Sequence, residues 1–126
     1  MRGLLLPAVL LGAVVAFSLW NGCAIASDVD RWQGQLDRVD ALALAEDWAG
    51  AASALADSHA DWSARQTYLH TVSLHSALDG AESLYRRCMV LAEVRELPEL
   101  RASLAELRQQ LTDLAEMERI DIRNIL

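Results

Sequence analysis

Lysine is absent from this sequence, and proline, glycine and cysteine are scarce. Each gap removes a class of protein. Eleven arginines carry all the positive side-chain charge against eighteen acidic residues, for a net charge of -7. A chain this acidic is a poor nucleic-acid binder and is repelled by anionic lipid surfaces. No basic stripe with interleaved aromatics offsets that balance. Beyond Asp28 only Pro98 interrupts the backbone chemistry, so long helices meet few breaks. The two cysteines, Cys23 and Cys88, read as free thiols, so no disulfide framework holds the fold. Glycine-rich phosphate loops, H-E-x-x-H and G-x-S-x-G are missing, and no Cys or His pair has metal-site spacing. The expectation is a protein that is not an enzyme and holds no cofactor.

What is present begins with Gly3–Ser27, twenty-five residues without a charge. A bilayer crossing needs about 20. Arg2 precedes the segment, and Asp28 and Asp30 follow it. The positive-inside tendency then keeps the N-terminus in the cytoplasm and exports the rest as a single-pass cell-membrane protein. Three fates compete for the segment. Ala24-Ile25-Ala26 offers a signal-peptidase site before Ser27, and Cys23 a lipidation site. The apolar run from Leu4 to Trp20, longer than a usual signal core, favours an uncleaved anchor with Trp20 at the outer interface. Residues 1–26 are therefore read as the anchor and residues 27–126 as one extracytoplasmic domain, whose net charge without Arg2 is -8.

The domain reads as all-α. Asp28 is a candidate cap for a first helix striped by Val29, Trp32, Leu36, Val39 and Ala43. Asp47 is a candidate cap for a second, with Trp48, Ala52, Leu55, His59, Trp62, Gln66 and Leu69 on one stripe and a turn expected within residues 63–68. A third helix, over about residues 69–94, carries Leu74, Ala77, Leu78, Ala81, Leu84, Tyr85, Cys88, Leu91 and Ala92 on a wide arc. Pro98 fits the start of a fourth, whose Leu97, Leu100, Leu104, Leu107, Leu111, Leu114 and Met117 form a near-heptad seam. The apolar tail from Ile120 to Leu126 is expected to dock on the rest. Short connections predict an antiparallel four-helix bundle or two stacked helical hairpins behind the transmembrane helix. Leu-Ala-Glu recurs at Leu44 and Leu91, each just before a helix break, a hint of two repeated helix pairs.

Asp47-Trp48, Trp62, the His-x-x-Leu-Asp run at His75, Leu78 and Asp79, and the closing Asn124-Ile125-Leu126 stand in an order that resembles a bacterial family, the domain of unknown function numbered 4363. The resemblance spans nearly the whole length. It implies an N-terminal membrane helix followed by about a hundred helical residues, and it implies no activity.

One polar strip stands out on the third helix: His75, Asp79, Glu82 and Arg86, with Glu93 beyond them, share a narrow arc away from the apolar one. His75 and Asp79 at i, i+4 suit a carboxylate-oriented imidazole, and Glu82 before Arg86 is an ordinary helix pair. The strip is the candidate partner-binding surface, set against the simpler reading of a solvated face. His59, inside the second stripe, reads as a partly buried residue hydrogen-bonded to a neighbour. Cys88 reads as core. The expected function is interaction with another envelope or membrane protein, with no nucleic acid involved. The alternative is a small-molecule or metal-responsive sensor using the bundle interior or the His75 strip.

Overall fold

A computed structural model describes the backbone of residues 2–72 and 75–125, and the side-chain environments of residues 3–20, 22–66 and 77–117. Among the described residues it contains four helices and no strand: α1 (Arg2–Leu44), α2 (Trp48–Val72), α3 (His75–Glu93) and α4 (Leu97–Ile125).

α1 is the first departure from the sequence reading. No break separates the apolar segment from the first domain helix, so the expected boundary at 26/27 falls inside one 43-residue helix. Asp28 is therefore not an N-cap. It lies mid-helix, 6% exposed, where Arg31 Nη1 and Arg65 Nε donate to its two carboxylate oxygens at 2.9 and 2.8 Å. Two charge-assisted bonds satisfy the acid that burial would otherwise penalise. The helix changes character along its length. Leu4, Leu5, Leu6, Val9, Leu10, Leu11, Phe17 and Trp20 are exposed, whereas Ile25, Val29, Trp32, Leu36, Val39 and Ala43 are buried. Among the described residues α1 is the one helix long and apolar enough to cross a membrane.

The connections after α1 and α3 are built alike. Glu46 and Arg95 adopt positive φ, 61° and 59°. Around each, the two bonds of a Schellman cap close the helix: Asp47 N–H to Leu42 O with Glu46 N–H to Ala43 O, and Glu96 N–H to Leu91 O with Arg95 N–H to Ala92 O. The next helix starts at once. Asp47 acts as the predicted N-cap of α2, its Oδ1 accepting from Gly50 N–H at 2.9 Å. Pro98 sits in the first turn of α4, where a missing N–H costs no helix bond.

Glu46 and Arg95 are 49 residues apart, and the same offset relates the buried positions of the two helix pairs. Val29, Trp32, Leu36, Val39 and Ala43 on α1 correspond to Leu78, Ala81, Tyr85, Cys88 and Ala92 on α3; Ala51, Leu55, Ser58 and Trp62 on α2 correspond to Leu100, Leu104, Leu107 and Leu111 on α4. The chain is an internal repeat. The shared Leu-Ala-Glu is not its register: Leu44 and Leu91 are 47 apart, and the true counterpart of Leu91 is Leu42.

Each helix packs on two others, α1 on α2 and α4, and α3 on α2 and α4, so one core runs down the middle. The stripes expected on α1 and α4 are buried as drawn, apart from half-buried Leu97 and Met117 at the ends of the α4 seam. On α2 the stripe is displaced. Ala51 and Ser58 are buried with Leu55 and Trp62, and Ala52 is exposed. The turn expected within residues 63–68 does not occur, because α2 continues to Val72. The side chains of the tail from Ile120 to Leu126 lie outside those described.

Candidate functional site

Three of the helix seams carry polar clusters, and the one between α2 and α3 holds Glu82 and Arg86 of the expected strip. Leu55 and Trp62 on α2 and Leu78, Tyr85 and Cys88 on α3 fix the two helices on the core and leave His59 and Glu82 facing each other at the rim. His59 Nε2 lies 2.9 Å from Glu82 Oε1. Trp62 Nε1–H donates to Glu82 Oε2 at 2.9 Å, and Arg86 Nε–H to Oε1 at 3.0 Å. Partial burial works against the Glu82 charge, yet the bonds from His59, Trp62 and Arg86 outweigh it and hold the carboxyl below its ordinary range. An ionised carboxylate only accepts, so the proton of the His59 contact sits on Nε2.

Behind this rim lies a closed aromatic layer. Ser58 Oγ and Tyr85 Oη are 2.9 Å apart and buried. The Trp62 ring lies 5.1 Å from Trp32 in an edge-on arrangement and 5.8 Å from Tyr85. Burial raises the Tyr85 hydroxyl well above its usual value and pushes the Cys88 thiol up to about 12, so neither is poised to react.

The predicted strip divides. The side chain of His75 lies outside those described. Asp79 is exposed. Glu82 is turned into the seam, with a side chain 20% exposed, while Arg86 keeps 73% of its own surface open. His59 takes the partly buried, hydrogen-bonded role expected of it.

Above the Glu82 cluster the seam opens into a groove of about 490 Å³ lined by Ala52, His59, Arg86, Met89, Val90 and Glu93. The sequence reading missed it by assigning Ala52 to the core. The internal repeat supplies the missing signal, because the seam between α1 and α4 is its counterpart. There Gln33 and Arg108 stand where Glu82 and His59 do, Arg108 Nε–H donating to Gln33 Oε1 at 3.0 Å. Arg101 and Asp40 occupy the positions of Ala52 and Met89, and their 3.0 Å ion pair spans the seam. Arg108 also pairs with Asp37, the counterpart of Arg86, at 2.6 Å. The space left beside Asp40, Arg101 and Leu104 is about 140 Å³. A shallower polar depression of about 480 Å³ lies further along, against Gln33, Arg108, Gln109 and Thr112.

The seam between α1 and α2 carries a third polar cluster. Arg31 donates to Asp61 through Nε at 2.7 Å and Nη2 at 2.9 Å, and to Asp28 through Nη1, while Gln35 Nε2–H donates to Asp61 at 3.0 Å. The bonds from Arg31 hold the Asp61 carboxyl below its ordinary range. Arg31, Arg65 and Gln35 there all donate to carboxylates, which is the signature of a structural network. Among the described residues no group of three or more His, Cys, Asp or Glu side chains is arranged to hold a metal ion.

A family model described as Domain of unknown function (DUF4363) matches residues 19–125. No curated protein and no solved structure matches the chain.

Proposed function

Because the chain belongs to the DUF4363 family, whose match runs from the end of the apolar segment through the whole packed domain, we propose that it is a single-pass, membrane-anchored, extracytoplasmic helical module that acts by binding another envelope or membrane protein rather than by catalysis. The observation that carries this reading is the two-part character of α1, an exposed apolar half continued without a break by a half that builds the core. Lipid is the solvent that suits the first half, and a soluble domain is what the second half serves. Arg2 before the span and Asp28 and Asp30 after it favour export of the domain.

The domain is an antiparallel four-helix ring made of two stacked hairpins. Support comes from the cross-helix bonds: moving up α1 from Asp28 to Arg31 steps back on α2 from Arg65 to Asp61, and the α1–α4 pairs Gln33–Arg108 and Asp40–Arg101 run the same way. Three-residue caps that reverse the chain lead to the same arrangement.

The topology is tested by adding protease to intact spheroplasts. The expected outcome is loss of the domain with the anchor retained in the membrane. Full protection of the chain would overturn the orientation, and a soluble mature chain beginning at Ser27 would overturn the anchor.

A further inference from the structure

The geometry points to the α2–α3 groove as the docking site for one amphipathic helix of another protein, a helix that lays an apolar stripe on Ala52, Met89 and Val90 and sets an acidic side chain against Arg86 and a basic one against Glu93. This inference rests on the binding role proposed above and gives it a surface and a partner chemistry.

The internal repeat is the first argument. The same seam geometry occurs twice in the chain. Between α1 and α4 the chain closes it with its own Arg101–Asp40 pair. Between α2 and α3 the equivalent positions are Ala52 and Met89, and a groove of about 490 Å³ remains. Val90 at its floor is 57% exposed, as is Val94 one turn further on. Exposed aliphatic side chains beside a small residue let a partner backbone approach closely and bury apolar surface on contact.

Charge chooses the occupant. Arg86 and Glu93 lie seven residues apart on α3, two turns or about 10 Å along the helix, at opposite ends of the apolar floor. A docked helix meets them with residues about seven apart on its own face. The groove is also self-complementary about a two-fold axis between Met89 and Val90, which would pair Arg86 with Glu93 of a second copy. That axis requires the two α3 helices to run antiparallel. Copies anchored in one membrane by the same N-terminal helix present α3 in parallel, Arg86 against Arg86 and Glu93 against Glu93, and like charges opposite each other are repelled. The occupant is therefore a different chain.

The test places a photoreactive benzoylphenylalanine at Val94 in the full-length, membrane-anchored protein, with Gln109 on α4 as the control position, followed by sequencing of the cross-linked peptide. The expected result is an adduct from Val94 whose foreign peptide is a helix carrying an acidic and a basic residue about seven apart. Two variants then remove it. Ala52→Arg with Met89→Asp copies the Arg101–Asp40 closure into the groove, and Val90→Arg, at an exposed position that folding tolerates, charges its floor. Each should cut the adduct about tenfold or more, as loss of a central contact does, and Glu93→Arg, at an exposed position apart from the Glu82 cluster, should do the same through charge alone. An adduct to the chain itself would make a second copy the occupant and overturn the inference. So would adduct yields unmoved by the variants, or a foreign peptide lacking the charge pair. Foreign adducts from Gln109 and none from Val94 would overturn the groove while leaving the binding role standing; none from either position would overturn both.

Discussion

The seam between α1 and α4 and the seam between α2 and α3 occupy equivalent places in a repeated fold, yet they are finished differently. The first is laced by Arg101–Asp40, Arg108–Asp37 and Arg108–Gln33. The second gathers its polar groups on one carboxylate, Glu82, and leaves the next turn apolar and open. Beneath them the buried register is the same, but large and small residues are exchanged: Trp32 answers to Ala81, Leu36 to Tyr85, and Trp62 to Leu111. The comparison teaches that burial at fixed spacing specifies this fold, that volume can be redistributed across the core, and that the rim above it is free to differ.

The largest expected effect sharpens that exchange of volumes. Trp62→Ala should destabilise the full-length protein in detergent by ~3–5 kcal/mol and its counterpart Leu111→Ala by ~2–5 kcal/mol, measured by urea unfolding. A negligible loss at Leu111 would break the equivalence of the two pairs. The next effect separates the rims. Glu82→Gln installs at this site the amide that Gln33 carries in the other seam, and should cost ~1–2 kcal/mol at neutral pH. The Glu82 carboxyl is depressed in the fold, so its contribution is fully present above the ordinary carboxylate value and is lost as pH falls through the depressed one. Melting curves from pH 7 down to the acid range should therefore converge for wild type and variant as the pH drops. Parallel curves would mean that the His59–Glu82–Trp62 cluster adds nothing through its charge. The smallest effect concerns the twin caps. Glu46→Gly and Arg95→Gly place glycine at positive φ and should each raise stability by up to ~1 kcal/mol. A gain at one and a loss at the other would show that the two loops are alike in geometry only.

Much of the fold is legible in the sequence because α1 and α4 write their buried faces in large residues. Val29, Trp32 and Leu36, and the leucines from Leu100 to Leu114, stand out against polar neighbours at helical spacing. α2 does not. Its Ala51, Ala52, Ala54 and Ala56 are nearly equal in hydropathy, so the choice of buried face turns on packing against α1 and α3, which one helix alone does not reveal. The continuation of α2 past residues 63–68 has the same origin, since no glycine or proline marks its end. Asp28 misleads for another reason. An acid beside an apolar run has the look of a cap, and only the arginines at 31 and 65 explain its burial inside a helix. Of the site, the residues that ionise were visible and their direction was not. Glu82 shares an arc with Asp79 and Arg86 by count, but Trp62 and His59 on the neighbouring helix draw it into the seam.

The unbroken α1 also works as a ruler. On the proposed topology, Ile25 begins the buried core just beyond the bilayer, and Ala41 is the position on α1 that the repeat sets level with Val90. At 1.5 Å per residue the groove stands about 24 Å above that point. Its height is set by a stiff rod, and its compass bearing by the helical phase of the anchor, since each added residue would turn the whole domain by about 100°. A partner in the same membrane must reach that height and face that bearing.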